Sequence, residues 1–404
     1  MEKVKNRHGM LAAIFSLTVS TVLVGSAVSP ALSKIGSYFT SASSTEIGLI
    51  VTIPCLFILL INLIFPKISA KFDAKTIAIT GLVIFVLAGM SGALSANIYV
   101  LLVTRALLGI GAGLVIPLAT GLIGFYFAQK EQGRLIGFSV AILNMIGIVA
   151  MVLSGKLASI SWRWAFVLYG LAIVSIILTI IFLPRENISR TSQKMTKHDY
   201  KLKLPFVFGM FLTQLIFFTY MTNFAICADG KGLFTITEIG IYMALSSFVG
   251  FVFSFFFGKI YKLLGDKMKF LGPVAFACGD ILIALAATKV VLVVGACLVG
   301  MGFGLLVPFF NMSGCKNVPK EKANNAMSAI AIGQFGGQFL SALLIGLLKL
   351  IFGTDSIIFP FWVAVVLCAL LFVLLIFSKP TKVGEITADK LVANKENNQE
   401  SKHK

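Results

Sequence analysis

Apolar runs close to 20 residues long recur along the whole chain, and they constrain its fold more than any other feature. A helix of about 20 apolar residues crosses the hydrocarbon core of a bilayer. In lipid every backbone polar group must be bonded internally, a condition that helices meet. Only 12% of the residues are charged and 58% are hydrophobic, whereas a soluble domain carries about 25% charged residues. The sequence therefore predicts an all-α polytopic membrane protein in a lipid bilayer.

We predict twelve transmembrane helices, divided between residues 1–184 and 205–380. A polar, basic connector at 185–204 separates these halves, and residues 381–404 lack aromatic side chains, as is typical of a disordered tail. The predicted spans are 10–30, 46–66, 76–95, 99–122, 135–158, 164–184, 205–227, 238–258, 269–287, 289–310, 326–350 and 357–378.

A glycine pattern in the fourth run returns in the tenth. LGIGAGLVIP ends at Pro117, and VGMGFGLLVP ends at Pro308, 191 residues later. Small residues four positions apart share a helix face and let a neighbouring helix approach closely. We therefore predict helix-packing roles for four of these glycines: Gly109, Gly113, Gly300 and Gly304.

A second repeat supports a duplicated chain. The basic turn PKISAKFDAK at 66–75 returns as GKIYKLLGDK at 258–267, displaced by 192 residues. Two six-helix pseudo-repeat halves are the plan of many secondary transporters.

The basic residues predict the orientation. With both termini cytoplasmic, 27 of the 34 Lys and Arg residues fall on the inner side and six on the outer side. Because cytoplasmic loops carry the excess of Lys and Arg, both termini and the connector should be cytoplasmic, in a plasma or inner membrane. The net charge of +18 is spread between apolar runs instead of forming a patch with interleaved aromatics, so no nucleic-acid partner is expected.

Residues 10–378 resemble the major facilitator superfamily, first through the fourth predicted helix. Arg105 followed by Gly109, Gly111 and Gly113 is similar to that family's R-x-x-x-G-x-G-x-G signature, which is associated there with proton coupling. The segment WRWAF at 162–166 looks like the WRWxF found where the family's sixth helix begins.

Two further signatures are partial. The loop signature G-x-L-A-D-R-x-G-R-K keeps Gly258, Gly265 and Lys267 in the second half, whereas Ala70 and Asp73 depart from it in the first. The antiporter signature of the family's fifth helix is met at Gly147 and Gly155, but Met151 and Val152 stand where it has Gly-Pro. The resemblance implies the major facilitator fold, a small-molecule substrate, a monomer, and a transporter instead of an enzyme.

Three charged residues are candidates for proton coupling or substrate contact. Arg105 is a cation inside an apolar run, and buried charges in spans are usually functional. Asp280 is the only carboxylate near the middle of a predicted span, and Glu46 lies near an outer end. The alternatives are a purely structural role for Arg105, which would hold helices together by pairing with a buried carboxylate or with backbone carbonyls, a local hydrogen bond for Asp280, and simple solvation for Glu46.

Amides and one aromatic residue are candidates for the wall of a transport cavity. In hydrocarbon, polar side chains must face the bundle and find partners, so packing between helices is the alternative role. The cavity candidates are Asn144, Gln214, Phe217, Asn223, Asn311, Gln334 and Gln338.

The sequence favours proton-coupled export of a small amphipathic drug or metabolite, with protons as the coupling ion. The alternative is an uptake symporter, uniporter or exchanger for a small organic anion, with Arg105 as its counter-charge. No phosphate-binding loop, nucleophile set or metal-ligand spacing is found in the spans, so we predict no catalytic residue, metal or cofactor.

Overall fold

The computed structural model describes residues 7–127, 129–185, 197–315 and 323–377. All regular secondary structure in these residues is helical, and twelve helical segments are long and apolar enough to cross a membrane. The predicted tail at 381–404 and most of the predicted connector lie outside the described residues.

The first half holds six spans. Its α-helices are α1 (Arg7–Ser26), α2 (Leu32–Tyr38), α3 (Ser44–Ser69), α4 (Ala74–Ser91), α5 (Ile98–Tyr126), α6 (Gln129–Ile160) and α7 (Ala172–Phe182). Three short 3-10 helices join or extend them: Ser29–Ala31 links α1 to α2, Gly92–Leu94 extends α4, and Trp162–Leu171 leads into α7.

The second half holds the other six. Its helices are α8 (Lys197–Gly230), α9 (Ile236–Leu264), α10 (Met268–Leu285), α11 (Lys289–Cys315), α12 (Ala323–Phe352) and α13 (Phe359–Phe377). The 3-10 turn Gly265–Lys267 joins α9 to α10.

The prediction of twelve spans is confirmed, and the differences lie at helix ends. The first span continues through the turn at Ser29–Ala31 to Tyr38, because Pro30 stands at the start of that turn, a position where its missing N–H costs no hydrogen bond. Helix α8 begins at Lys197, inside the stretch predicted as connector. Residues 201–204, Lys-Leu-Lys-Leu, are good helix formers, and they extend the helix beyond its apolar core.

Two matching capping boxes mark one end of the bundle. Ser43 and Glu46 begin α3 with reciprocal hydrogen bonds, and Thr235 and Glu238 do the same for α9, 192 residues later. Such boxes satisfy N–H groups that a helix start leaves open. We call this end the capping-box end, and the opposite end, where Arg185 and Lys197 lie, the connector end.

The repeated glycines bring corresponding helices together in each half. A methyl group added to Gly109 of α5 would lie 2.5 Å from the carbonyl oxygen of Pro54 in α3. A methyl group on Gly300 of α11 would collide with the carbonyl of Ser246 in α9. Pro54 and Ser246 are 192 residues apart, so the same helix crossing is built twice.

The two halves contact each other along α6 with α9 and along α3 with α12. A methyl group on Gly155 would lie 2.8 Å from the Cα of Gly240, and one on Gly346 would collide with the Thr45 side chain. These four residues lie toward the capping-box end of their helices, so the halves are closed there.

Candidate functional site

A cavity of about 240 Å³ lies between the two halves, with residues of α1, α3, α5 and α6 on one side and α8, α9, α11 and α12 on the other. Ile58 of α3 and Ser254 of α9 line it, and both lie nearer the connector end than the closed contacts at Thr45 and Gly240. The cavity is therefore on the connector side of the closed contacts.

Four of the seven predicted cavity residues line this space: Asn144, Phe217, Gln334 and Gln338. The other three do not. The side chain of Asn223 donates to the carbonyl of Thr219 on its own helix, 2.9 Å away, and Asn311 lies on α11 outside the lining.

Gln214 lies behind the lining and positions Gln338. The Nε2 of Gln338 donates to Oε1 of Gln214 at 3.0 Å, and both side chains are buried. This bond joins α8 to α12. The side-chain carbonyl oxygen of Gln338 stays available at the cavity, and the amide of Gln334 lies there too, one turn earlier on α12. The i, i+4 spacing of the two glutamines predicts this placement on one helix face.

Aromatic rings form the second-half wall. The rings of Phe217 and Phe303 stack with centroids 3.9 Å apart and an interplanar angle of 23°. Phe218, Phe251 and Phe335 also line the cavity. Stacked rings present flat, polarisable surface to a ligand, and they add attraction beyond simple burial.

Hydroxyl groups supply further polar contacts at the cavity, at positions that were not predicted from the sequence. The cavity lining includes Thr21 and Ser26 of α1 and three serines of α9: Ser246, Ser247 and Ser254. The Oγ of Ser246 donates to the carbonyl of Ala296 at 2.7 Å, and the Oγ of Ser254 donates to that of Gly304 at 2.9 Å. The sequence feature that could have identified two of these serines is the spacing of Ser246, Gly250 and Ser254, which lie four residues apart. They face the glycines of α11 that were predicted to pack against a neighbouring helix.

Arg105 is fully buried and bridges three helical segments of the first half. Its Nε donates to the carbonyl of Ile50 at 3.0 Å, and its Nη2 donates to the carbonyl of Val24 at 2.8 Å and to the hydroxyl of Tyr169 at 2.7 Å. The guanidinium also lies over the Tyr169 ring, 4.8 Å from its centroid. Its side chain is not part of the cavity lining, whereas Val24 is. The planar fork of donors suits this three-way connection.

Glu46 and Asp280, the two carboxylates predicted to take part in proton coupling or substrate contact, lie away from the cavity lining. Glu46 accepts hydrogen bonds from the backbone N–H of Ser43 at 2.7 Å and from its hydroxyl at 2.8 Å, as part of the capping box. Asp280 is fully buried in α10, and neither carboxyl oxygen has a hydrogen-bond partner among the described residues.

No Lys, Arg, His, Asp or Glu occurs among the described residues that line the cavity. Its walls carry aromatic and aliphatic side chains, hydroxyls and amides, a make-up typical of a site for small organic molecules. Two related six-helix halves with such a cavity between them define a polytopic membrane transporter.

The sequence matches the Major Facilitator Superfamily over residues 11–342. The chain belongs to this family, and it is therefore a transporter and not an enzyme.

Among curated relatives, the chain is similar to the quinolone resistance protein NorA of Staphylococcus aureus, with 26% identity over 236 residues. That alignment covers 55% of this chain and 60% of NorA, so the chain spans less than two thirds of that relative's length. The uncharacterized transporter YebQ of Escherichia coli is also 26% identical, over 52% of this chain and 46% of YebQ.

Solved structures of similar fold include the nucleoside transporter NupG, with a TM-score of 0.70, 15% identity and coverage of 91% of this chain and 97% of NupG. A bacterial homologue of the human lysosomal transporter Spinster, crystallised in an inward-facing, unoccupied conformation, has a TM-score of 0.70 and 14% identity, covering 92% and 95% of the two chains. At these identities the likeness concerns the fold.

The signature loops lie at the connector end. Asp73 caps α4 by accepting from the backbone N–H of Thr76 at 2.9 Å and from its hydroxyl at 2.7 Å. Slight burial raises the pKa of Asp73, but these hydrogen bonds and the charge of Arg185 outweigh it and hold the pKa below its usual value. In the second half Gly265 has φ +56°, a conformation that a glycine adopts without strain.

Proposed function

We propose that this protein is a secondary transporter that exports a small amphipathic organic compound, a drug or metabolite, in exchange for protons. The observation that carries the proposal is the cavity between the halves, whose lining holds stacked aromatics, hydroxyls and amides but no charged side chain in the described part of the chain. Such walls suit a planar, largely apolar solute with a few hydrogen-bonding groups.

The closed contacts support a direction of loading. The two halves touch at the capping-box end, through pairs such as Gly155 and Gly240, while the cavity lies toward the connector end. If the connector end is cytoplasmic, as the distribution of Lys and Arg predicts, the cavity is placed to take its solute from the cytoplasm. Rocking of the two halves about the cavity would then release it on the other side.

The similarity to NorA, named for quinolone resistance, favours a drug-like solute. Protons are proposed as the coupling ion, with Arg105, Asp280 and Glu46 as the candidate residues.

Transport of a small organic anion by uptake, uniport or exchange is the second candidate. One observation favours it: the Nη1 of the buried Arg105 has no hydrogen-bond partner among the described residues. Against it, Arg105 does not line the cavity, and its other two nitrogens are bound to Ile50, Val24 and Tyr169.

A matched series of planar aromatic dyes that are neutral, cationic or anionic tests this function. In proteoliposomes with an imposed pH gradient, we expect accumulation of neutral or cationic dyes, and its loss on adding a protonophore. Accumulation of the anionic dyes alone would favour the second candidate. Dye movement that ignores the protonophore would exclude proton-driven export.

A further inference from the structure

The cavity between the halves ends, on its capping-box side, where α6 and α9 converge. Met151 is the last described lining residue of α6 in that direction, and Ser246 and Ser247 are the first of α9. Further toward the capping-box end, the two helices are in backbone contact at Gly155 and Gly240. We call Met151 and Ser247 the floor of the cavity, because a solute that passes them meets the closed contact.

A hydrogen bond joins the two halves at this floor. The Oγ of Ser247 donates to the Sδ of Met151 at 3.3 Å, and a thioether sulfur can only accept. The same hydroxyl lies 3.1 Å from the carbonyl oxygen of Met243, one turn earlier on its own helix. Since a hydroxyl carries one proton, it donates to one of these two acceptors at a time.

The two acceptors of Ser247 belong to different halves, so the position of its proton is linked to the contact between the halves. While the halves are together, the proton can bridge to Met151. When they separate, it can pass to the Met243 carbonyl, and no donor is left without an acceptor. A thioether is a weak acceptor, so a solute oxygen that reaches the floor competes with it well.

The other two serines of α9 at the cavity are each bonded within the second half. The Oγ of Ser246 donates to the carbonyl of Ala296 at 2.7 Å, and the Oγ of Ser254 donates to that of Gly304 at 2.9 Å. Ser247 is therefore the serine of α9 whose hydroxyl can turn from one acceptor to another, and so toward a solute.

The acceptor at the floor is particular to this sequence. Met151 is one of the two residues that depart from the antiporter signature, which has glycine at this place. A glycine has no side chain that could accept from Ser247. Met221 of α8 is a second buried methionine that lines the cavity, and no described hydroxyl donates to its sulfur. It therefore gives a matched comparison for Met151.

We propose that Ser247 determines specificity: its hydroxyl recognises a hydrogen-bond acceptor, such as a ketone oxygen, on the part of the solute that lies against the floor, in competition with Met151. A solute bound in this way takes over a bond that holds the halves together. Because linked equilibria are reciprocal, the solute weakens the closed contact by as much as the bond to Met151 weakens solute binding. The inference rests on the proposed function in taking the cavity as the solute site, and it is independent of the coupling ion and of the direction of transport.

Two rigid planar probes of nearly equal shape test this recognition: fluorenone, which has a ketone oxygen, and fluorene, which has a methylene group in its place. Their affinities for the purified full-length protein are measured from the rise of its thermal midpoint with probe concentration, because a ligand that binds the folded state stabilises it. For the wild type we expect fluorenone to bind about 2- to 10-fold more tightly, the usual contribution of one hydrogen bond. Equal affinities of the two probes would overturn the inference.

The serine variants test the donor. Ser247→Ala removes the hydroxyl and should bring the ratio of the two affinities close to one. Ser254→Ala is the control, because its hydroxyl is bonded to Gly304, and it should keep the ratio of the wild type. Should Ser247→Ala not fold, Ser247→Cys, whose thiol is a weaker donor, must lower the ratio. A ratio that stays at the value of the wild type in these Ser247 variants would overturn the inference.

The methionine variants test the competition, and their expected effect has the opposite sign. Met151→Leu nearly keeps the side-chain volume but removes the competing acceptor, so it should raise the preference for fluorenone by about twofold. Met221→Leu makes the same exchange without removing an acceptor of Ser247, and it should leave the preference unchanged. A purely structural role of Met151 would change the binding of both probes alike, and that result would overturn the inference.

Transport keeps this inference apart from the proposed function. If dye accumulation is driven by protons but the preference for fluorenone does not depend on Ser247, the inference is overturned and the proposed function stands. If the preference depends on Ser247 but dye accumulation ignores the protonophore, proton-driven export is overturned and the inference stands.

Discussion

Gly155 of α6 and Gly240 of α9 bring the two halves into backbone contact. A methyl group added to Gly155 would lie 2.8 Å from the Cα of Gly240, and one added to Gly240 would lie 2.7 Å from the carbonyl oxygen of Met151. No side chain larger than hydrogen fits between these helices without moving them. Because the contact joins the halves on the capping-box side of the cavity, it fixes how far they close there.

Gly155→Ala should therefore disfavour the closed contact. Overpacking of this kind typically costs about 1–3 kcal/mol, which corresponds to a shift of about 5- to 150-fold in a two-state equilibrium. We expect dye transport to slow by a factor in this range, measured as the initial rate in proteoliposomes.

Gly121→Ala on α5 is the matched control, because a methyl group there meets nothing within 4 Å. It should transport normally. Equal rates in the two alanine variants would show that closure at Gly155 does not limit the cycle.

Arg105→Ala should abolish active transport while the protein still inserts and folds. The substitution leaves the carbonyls of Ile50 and Val24 without their donor, at a cost of about 1–3 kcal/mol for each buried group. Arg105→Lys should be impaired too, because a single ammonium cannot reproduce the guanidinium's fork of donors. Dye accumulation and the thermal midpoint of the purified variants measure the two effects.

Tyr169→Phe isolates one part of this connection. It removes the hydroxyl that accepts from Arg105 but keeps the ring beneath the guanidinium. We expect a loss of about 1 kcal/mol in stability and a smaller loss of transport than in Arg105→Ala.

Normal dye accumulation in Arg105→Ala would contradict the coupling role of Arg105 and leave that arginine with a purely structural role.

The number and type of the membrane helices followed from the sequence, because each span needs its own long apolar run. The glycine pattern at Leu108–Pro117, which returns at Val299–Pro308, also indicated two related halves. Helix ends were less predictable, because a helix can extend beyond its apolar core. Helix α8, for example, begins at Lys197, before the apolar run starts.

The site was predictable only in part. Amide spacing placed Gln334 and Gln338 on one face, and both line the cavity. Side-chain type alone did not reveal that Gln214 would be satisfied by Gln338, because that bond joins helices 124 residues apart in sequence. The lining role of Ser246 was hidden for a similar reason: serine is common at helix contacts, and only the assembled bundle shows which serines also reach a cavity.

Gln338→Ala should weaken solute binding more than it weakens the fold. The side chain lines the cavity, and a typical hydrogen bond contributes about 0.5–1.5 kcal/mol, so we expect KM for the best-transported dye to rise about 2- to 10-fold. Gln214→Ala, one layer behind, should raise KM less, since it only releases Gln338 from its 3.0 Å bond. A larger effect at Gln214 than at Gln338 would contradict this assignment.

Cysteine labelling tests the predicted orientation. Met195→Cys, in the predicted cytoplasmic connector, should resist a membrane-impermeant thiol reagent in intact cells and react once the cells are opened. Asp355→Cys, in the loop between α12 and α13, should react from outside. The same reagent on a variant without added cysteine gives the background from native thiols. Ready labelling at position 195 in intact cells would invert the orientation, and with it the proposed direction of loading.

Phe303→Ala should change which solutes are transported. The ring stacks on Phe217 at 3.9 Å and forms part of the cavity wall, and such aromatic contacts contribute about 0.5–1.5 kcal/mol beyond burial. We expect KM for planar aromatic dyes to rise about 2- to 10-fold, while bulkier dyes gain access to the space left by the ring. Phe208→Ala is the control, because Phe208 stacks on Phe211 with its ring partly exposed and away from the cavity lining. If both variants shift the dye preference alike, the effect comes from helix packing in general, and the Phe217–Phe303 pair is not the wall that selects the solute.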